Sequence, residues 1–197
     1  MAKARRSKIT RTTTETDINV KLNLDGKGSY ILETGVPFLD HMLALWSRHG
    51  MFDLEIAAQG DTGIDDHHTV EDIGICMGQA MAHALGDKAG IARYGTAFAP
   101  MDEALAMVVV DISGRSYLSF DVPMPAEKVG DFDTELVEEF LRALVTNAEI
   151  TLHVKLMQGK NTHHVIEAVF KGLGRAIKEA VSIDERIDGI MSTKGQI

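Results

Sequence analysis

An α+β protein built of two related halves is the fold class that three observations predict. Apolar residues alternate with period two in several short runs, and they recur at helical spacing in four longer ones. The order of these runs is then written a second time. The clearest mark of the repeat is His67-His68-Thr69-Val70-Glu71, matched in the second half by His163-His164-Val165-Ile166-Glu167. Each copy is a pair of adjacent histidines with a carboxylate three residues on, and each opens an amphipathic run. A duplication of about 95 residues in two copies is too long and too few for a solenoid. Two sheets, each with its helical layer, give an α+β sandwich of two repeats packed as one unit, residues 1–93 and 94–197.

The elements follow in order. Ile9 to Glu33 reads as strands, with Ile18, Val20, Leu22 and Leu24 in strict alternation. Asp25-Gly26-Lys27-Gly28 is expected as a hairpin turn, with Tyr30-Ile31-Leu32 returning. Gly35 and Pro37 open a helix whose stripe is Leu39, Met42, Leu43 and Trp46, and Gly50 ends it. Phe52 to Ala57 is a strand, and a polar loop from Gln59 to Asp66 leads into the first motif helix. Val70, Ile73, Met77, Ala80, Met81 and Ala84 form that helix's stripe, and Gly86 stops it. From about Gly95 the order restarts. Ala104 to Asp111 and Tyr117 to Val122 are strands around the Ser113-Gly114 turn. Thr134 to Asn147 is a helix, Glu149 to Leu156 a strand, and His163 to Ala180 the second motif helix.

Composition narrows the function. With 45% hydrophobic and 25% charged residues, the 197-residue chain has the makeup of a globular protein with a real core. A net charge of −9 argues against a general nucleic-acid binder, which needs a basic face. Cys76 is the only cysteine, so no internal disulfide forms and a reducing compartment fits. The basic start from Met1 to Arg11 lacks the apolar stretch of a signal peptide, and no run of about 18 apolar residues offers a membrane span. A soluble, cytoplasmic protein is the expectation.

The motifs point to metal. On a helix, residues three or four apart share a face, so Glu71 stands beside either His67 or His68. Adjacent histidines diverge by about 100° around a helix, so one ion is not gripped by both. The economical reading is two ions, each taking one histidine from each copy, with Glu71 and Glu167 as further candidate ligands. His153, in the alternating strand before the second motif, and His41, in Phe38-Leu39-Asp40-His41-Met42, are further candidate ligands. His49 sits at a helix C-terminus, where the dipole favours a cation. His83 has no assigned role, and Cys76 reads as core. Imidazoles and carboxylates without thiolate suit a six-coordinate divalent ion with open positions for substrate. Mn, Fe, Co and Zn all remain open.

With these residues in view, the chain resembles the imidazoleglycerol-phosphate dehydratase family from about Arg11 to Gly195. The motifs are Phe38-Leu39-Asp40-His41-Met42, Asp65-Asp66-His67-His68-Thr69-Val70-Glu71-Asp72, Pro100-Met101-Asp102-Glu103-Ala104, Asp111-Ile112-Ser113-Gly114-Arg115, Gly159-Lys160-Asn161-Thr162-His163-His164 and Ser192-Thr193-Lys194-Gly195. The resemblance implies two halves like domain 2 of ribosomal protein S5, each a mainly antiparallel sheet with two helices. It implies a 24-subunit homo-oligomer with two Mn2+ per active site at subunit interfaces. Carried over by motif, one ion takes His41, His68, His163 and Glu167, and the other His67, Glu71, His153 and His164. Glu15 is implied as the acid/base, with His49 and Asp102 near substrate hydroxyls. Arg93, Arg115, Lys171, Ser192 and Lys194 are implied as phosphate and substrate contacts, and Glu15 and His49 also touch substrate. The tail departs from the family pattern in carrying Met191, not proline, before Ser192.

The implied reaction removes water from imidazoleglycerol phosphate to give imidazole acetol phosphate, a step of histidine biosynthesis. The proton lost is not beside a carbonyl, so the imidazole ring must act as electron sink. Lewis acids at the ring nitrogens favour that imidazolate form. Two rivals stand beside this reading. A dinuclear metallohydrolase would be expected to supply bridging carboxylates, and here each copy offers one glutamate. A non-enzymatic metal-binding assembly has no need of Arg93, Arg115 and Lys194.

Overall fold

A computed structural model describes residues 4–197. The first half runs β1 (Arg6–Thr12), β2 (Thr16–Asn23), β3 (Tyr30–Glu33), α1 (Pro37–Gly50), β4 (Asp53–Gly60) and α2 (His67–Leu85). The second runs β5 (Tyr94–Met101), β6 (Ala104–Asp111), β7 (Tyr117–Asp121), β8 (Lys128–Val129), β9 (Phe132–Asp133), α3 (Leu136–Ala148), β10 (Thr151–Gln158) and α4 (Thr162–Ala180). The two main sheets have orders β1-β2-β4-β3 and β5-β6-β10-β7. In each, two antiparallel pairings are followed by one parallel pairing at the edge. The repeat therefore extends to pairing sense. Even the bonds just outside the strands match, Leu24 N–H donating to Arg5 O and Ile112 N–H to Arg93 O, both at 3.0 Å.

One expectation fails. Asp25-Gly26-Lys27-Gly28 is not a hairpin turn, because β3 lies parallel to β4 with Tyr30 opposite Leu54. The Asp53 carboxylate accepts from the Lys27 and Ser29 backbone N–H groups at 2.8 and 3.1 Å, steering the chain to the far side of β4. The true hairpin is β1–β2, whose tip is tied by Thr13 Oγ1 accepting from the N–H groups of Glu15 and Thr16. The small β8–β9 hairpin, which the sequence did not announce, has no counterpart among the described residues of the first half.

Alternation decides which strand face is inside. Ile18, Val20 and Leu22 of β2 are buried, as are Ala106, Val108 and Val110 of β6, the branched side chains among them contributing roughly 1.5–3 kcal/mol of transfer free energy each. Helix α2 covers β1 and β2, α4 covers β5 and β6, and between them α1 crosses α4 while α2 crosses α3. The result is four layers, sheet–helices–helices–sheet, around one continuous apolar core. The helix crossings are close. A Cβ on Gly174 of α4 would stand 2.5 Å from Trp46 O, and one on Gly78 of α2 would stand 2.5 Å from Leu144 O. Both glycines are there so that backbones can touch.

The outer sheet faces differ. That of the first sheet carries Lys8, Thr10, Lys21 and Glu55. That of the second presents Tyr94, Phe98, Tyr117 and Met157, each about half exposed. Cys76 is buried and free as expected, and burial pushes its thiol up to about 11. No helix among the described residues is long and apolar enough to cross a membrane.

Candidate metal centre and active site

Both histidine pairs sit where a loop becomes a helix, and their local chemistry explains why. Asn161 caps α4, its side chain accepting from His163 N–H and His164 N–H. At α2 the cap residue Asp66 makes no such bond, and Asp65 accepts from His67 N–H at 2.9 Å instead. The rings diverge in both copies as helical geometry requires. Their centroids are 6.2 Å apart in each pair and their planes stand at 87° and 88°.

One histidine of the second pair meets a helix from the first half. His163 Nε2 lies 3.2 Å from Glu167 Oε1, and His41 Nε2 of α1 lies 2.8 Å from the same oxygen. The three donor atoms fall within 4.8 Å of one another. Lys171 Nζ holds the other oxygen of Glu167 at 2.5 Å and touches Met101 Sδ at 3.1 Å. Burial opposes ionisation of Glu167, but the hydrogen bonds from Lys171, His41 and His163 prevail and take its carboxyl down to about 2.

A second group forms around His68, whose Nδ1 is 2.9 Å from Asp61 Oδ2 and 3.7 Å from Glu15 Oε2. The Asp61 hydrogen bond raises the pKa of His68 against its slight desolvation. His164 forms a third contact, Nδ1 to Glu103 Oε2 at 2.8 Å and Nε2 to Asp102 Oδ2 at 4.0 Å. That bond raises His164 and, with the Asn161 backbone N–H, draws Glu103 down to about 2.

The residues fit a divalent metal ion. Their donors are imidazole and carboxylate without thiolate, and Asp61 Oδ1 is buried with no hydrogen-bond partner among the described residues. Within one chain, however, the sets expected for each ion are only partly assembled. His41, His163 and Glu167 converge while His68 stands with Glu15 and Asp61. Of His67, Glu71, His153 and His164, no three converge among the described residues. His153 lies on the outer face of the second sheet, its ring 5.7 Å from that of Tyr117.

The expected phosphate contacts form their own place. Arg93, Arg115, Ser192 and Lys194 line one open cavity of about 850 Å³, together with Ser113 and Tyr94. Arg93 is oriented by Asp111, Nε to Oδ1 at 2.8 Å, and by Met191 O at 2.7 Å. None of the motif histidines lines that cavity. Lys171 is not part of it either, being held on Glu167. His49 borders a separate cleft with Arg48 and Arg175, and partial burial, then Lys171 and Arg175, lower its pKa.

Sequence reasoning missed Asp61 and Glu103. The signal for Glu103 was the repeat itself. Glu15 is the residue before β2 and Glu103 the residue before β6, and each faces the second histidine of the pair in its own half.

The duplicated frame and its histidine–carboxylate groups define a class, metal-dependent enzymes that act on small molecules. Comparison with known proteins makes the class particular. The family model for imidazoleglycerol-phosphate dehydratase matches residues 34–177. The imidazoleglycerol-phosphate dehydratase of Desulforudis audaxviator (strain MP104C) is 61% identical over 193 residues, covering 98% of each chain. That of Geobacillus kaustophilus (strain HTA426) is 60% identical over 194 residues, covering 98% of this chain and 100% of the relative. The crystal structure of the Staphylococcus aureus N315 dehydratase superposes with a TM-score of 0.83 at 49% identity, covering 91% of this chain and 99% of that one. A Pyrococcus furiosus structure, in complex with (S)-C348, gives 0.84 at 38% identity, covering 96% and 100%. The chain belongs to the imidazoleglycerol-phosphate dehydratase family, and so to the hydro-lyases and to histidine biosynthesis.

Proposed function

We propose that the chain dehydrates imidazoleglycerol phosphate to imidazole acetol phosphate at a site of two Mn2+ completed between copies of the chain. The observation that carries this is the convergence of His41, His163 and Glu167 from helices α1 and α4. When bound, divalent metal supplies Lewis acidity toward the substrate's ring nitrogens. His41, His68, His163 and Glu167 hold one ion, and His67, Glu71, His153 and His164 the other. Glu15 takes the proton from the carbon next to the one that loses hydroxide, and the resulting enol becomes the ketone. His49 and Asp102 bind the hydroxyls. Arg93, Arg115, Ser192 and Lys194 bind the phosphate, to which guanidinium groups are suited by their paired donors. Lys171 orients Glu167 and reaches substrate from that position.

Assembly completes the metal sets. His68 stands apart from the His41 group, and His153 faces outward among Tyr94, Phe98, Tyr117 and Met157. An exposed apolar face of this kind marks an interface. We place it against further copies, in a 24-subunit shell whose repeats divide between residues 93 and 94, in the cytoplasm.

The test is turnover of imidazoleglycerol phosphate by Mn-loaded protein, before chelation, after it and after Mn is restored. Activity lost and regained only with divalent metal is expected. Hydrolysis of the phosphate ester in place of dehydration, or no turnover with metal bound, would overturn the reading.

A further inference from the structure

Lys88 is buried, at 8% exposure, and no other lysine among the described residues is. It lies in the connection from α2 to β5 with φ at +61°, a backbone conformation that side chains rarely adopt. Its Nζ stands 3.8 Å from where a Cβ on Gly114 would be, beneath the Ser113-Gly114-Arg115 turn. Ser113 and Arg115 from that turn line the cavity shared by Arg93 and Lys194. The ionic partner of Lys88 among the described residues is Glu149, whose Oε2 is 3.9 Å away on a side chain 63% exposed. That is beyond hydrogen-bond reach, so the stem of Lys88 is buried while its ammonium keeps an edge to solvent and no hydrogen bond to a described residue.

The matching positions of the other half show what each looks like without such a lysine. Counted from the histidine pair, the residue matching Lys88 after α4 is Asp184, which Arg186 neutralises at 2.9 Å. The turn matching Ser113-Gly114-Arg115 is Asp25-Gly26-Lys27, where the Asp53 carboxylate accepts from Lys27 N–H and packs on Gly26, and the Asp25 carboxylate is held by Arg5. Where the Asp25 turn holds carboxylates tied to Arg5 and to backbone N–H groups, the Ser113 turn has serine in place of aspartate and the Lys88 ammonium close beneath its glycine.

We propose that Lys88 is a positioning residue for the substrate's phosphate, holding positive potential under the Gly114 turn so that the oxyanion seats against Arg93 and Arg115. The proposal rests on the reading that phosphate occupies their cavity. The test uses Mn-loaded protein at fixed ionic strength, with inorganic phosphate as competitive probe. Lys88→Met is expected to raise both the phosphate Ki and the substrate KM by roughly fivefold to tenfold, the effect of one screened charge nearby. kcat should fall by less, and Lys88→Arg should recover most of the loss. Unchanged Ki and KM in Lys88→Met, while Arg115→Ala raises them, would overturn the proposal alone. If Arg115→Ala also leaves them unchanged, the cavity is not the phosphate site and both readings fall. Should Lys88→Met not fold, Glu149→Gln decides. Freeing Lys88 from its carboxylate should lower the phosphate Ki by about twofold, and an unchanged Ki would sink the idea.

Discussion

The two motif helices carry the same pattern and do different things with it. In α4, His163 meets His41 over a glutamate that is 9% exposed and clamped by Lys171. In α2, Glu71 is half-buried with no histidine among the described residues converging on it, and His68 turns instead to Asp61 and Glu15. The cause lies in the packing partners. Helix α4 packs on α1, which contributes His41, whereas α2 packs on α3, which contains no histidine. Duplication supplied two equal frames, and the helices laid across them made the sites unequal. Within one chain one group is nearly built and the other is dispersed.

The largest test of that contrast is Glu167→Gln against Glu71→Gln. In dissociated chains Glu167→Gln should weaken metal binding by about 100-fold, the upper range for a disturbed ligand shell, and Glu71→Gln should leave it nearly unchanged. In the assembled protein both should abolish turnover. Calorimetric titration with Mn2+ reads the first, and a product assay the second.

Next come the helix crossings. Gly174→Ala places a methyl against Trp46 O between α1 and α4, and Gly78→Ala places one against Leu144 O between α2 and α3. Each should cost about 1–3 kcal/mol in chemical unfolding. Only Gly174→Ala should also weaken metal binding, because it parts His41 from Glu167. Equal loss of metal in both variants would break the comparison.

The smallest effect is at the caps. Asn161→Ala removes two hydrogen bonds to the start of α4 and should cost about 1 kcal/mol. Asp66→Ala, at a cap without such a bond, should cost measurably less in the same denaturant titration.

The sequence made the helices and the inner strand faces legible because both depend on local periodicity. Ile18, Val20, Leu39, Met42 and Trp46 are all buried as their spacing predicts. The histidine pairs were legible for the same reason, being fixed at helix starts. What local signal could not carry was partnership at a distance. Asp25-Gly26 is a good turn dipeptide, but Asp53, far along the chain, captures the backbone that follows and sends β3 to the other edge. β8 and β9 are two residues each, too short to show alternation. Asp61 and Glu103 sit in loops, where a carboxylate has no period to betray it. The cavity of Arg93, Arg115 and Lys194 is drawn from the junction of the two halves, the turn after β6 and the C-terminal segment, and none of its residues announces the others.

The most direct measurement of the central claim is the number of Mn2+ ions bound tightly per chain, in dissociated and in assembled protein. If the two copies of the motif are unequal within a chain and completed between chains, dissociated chains bind at most one ion, at the His41–His163–Glu167 group, and assembly brings the number to two. Two equally tight ions on a dissociated chain would contradict the account.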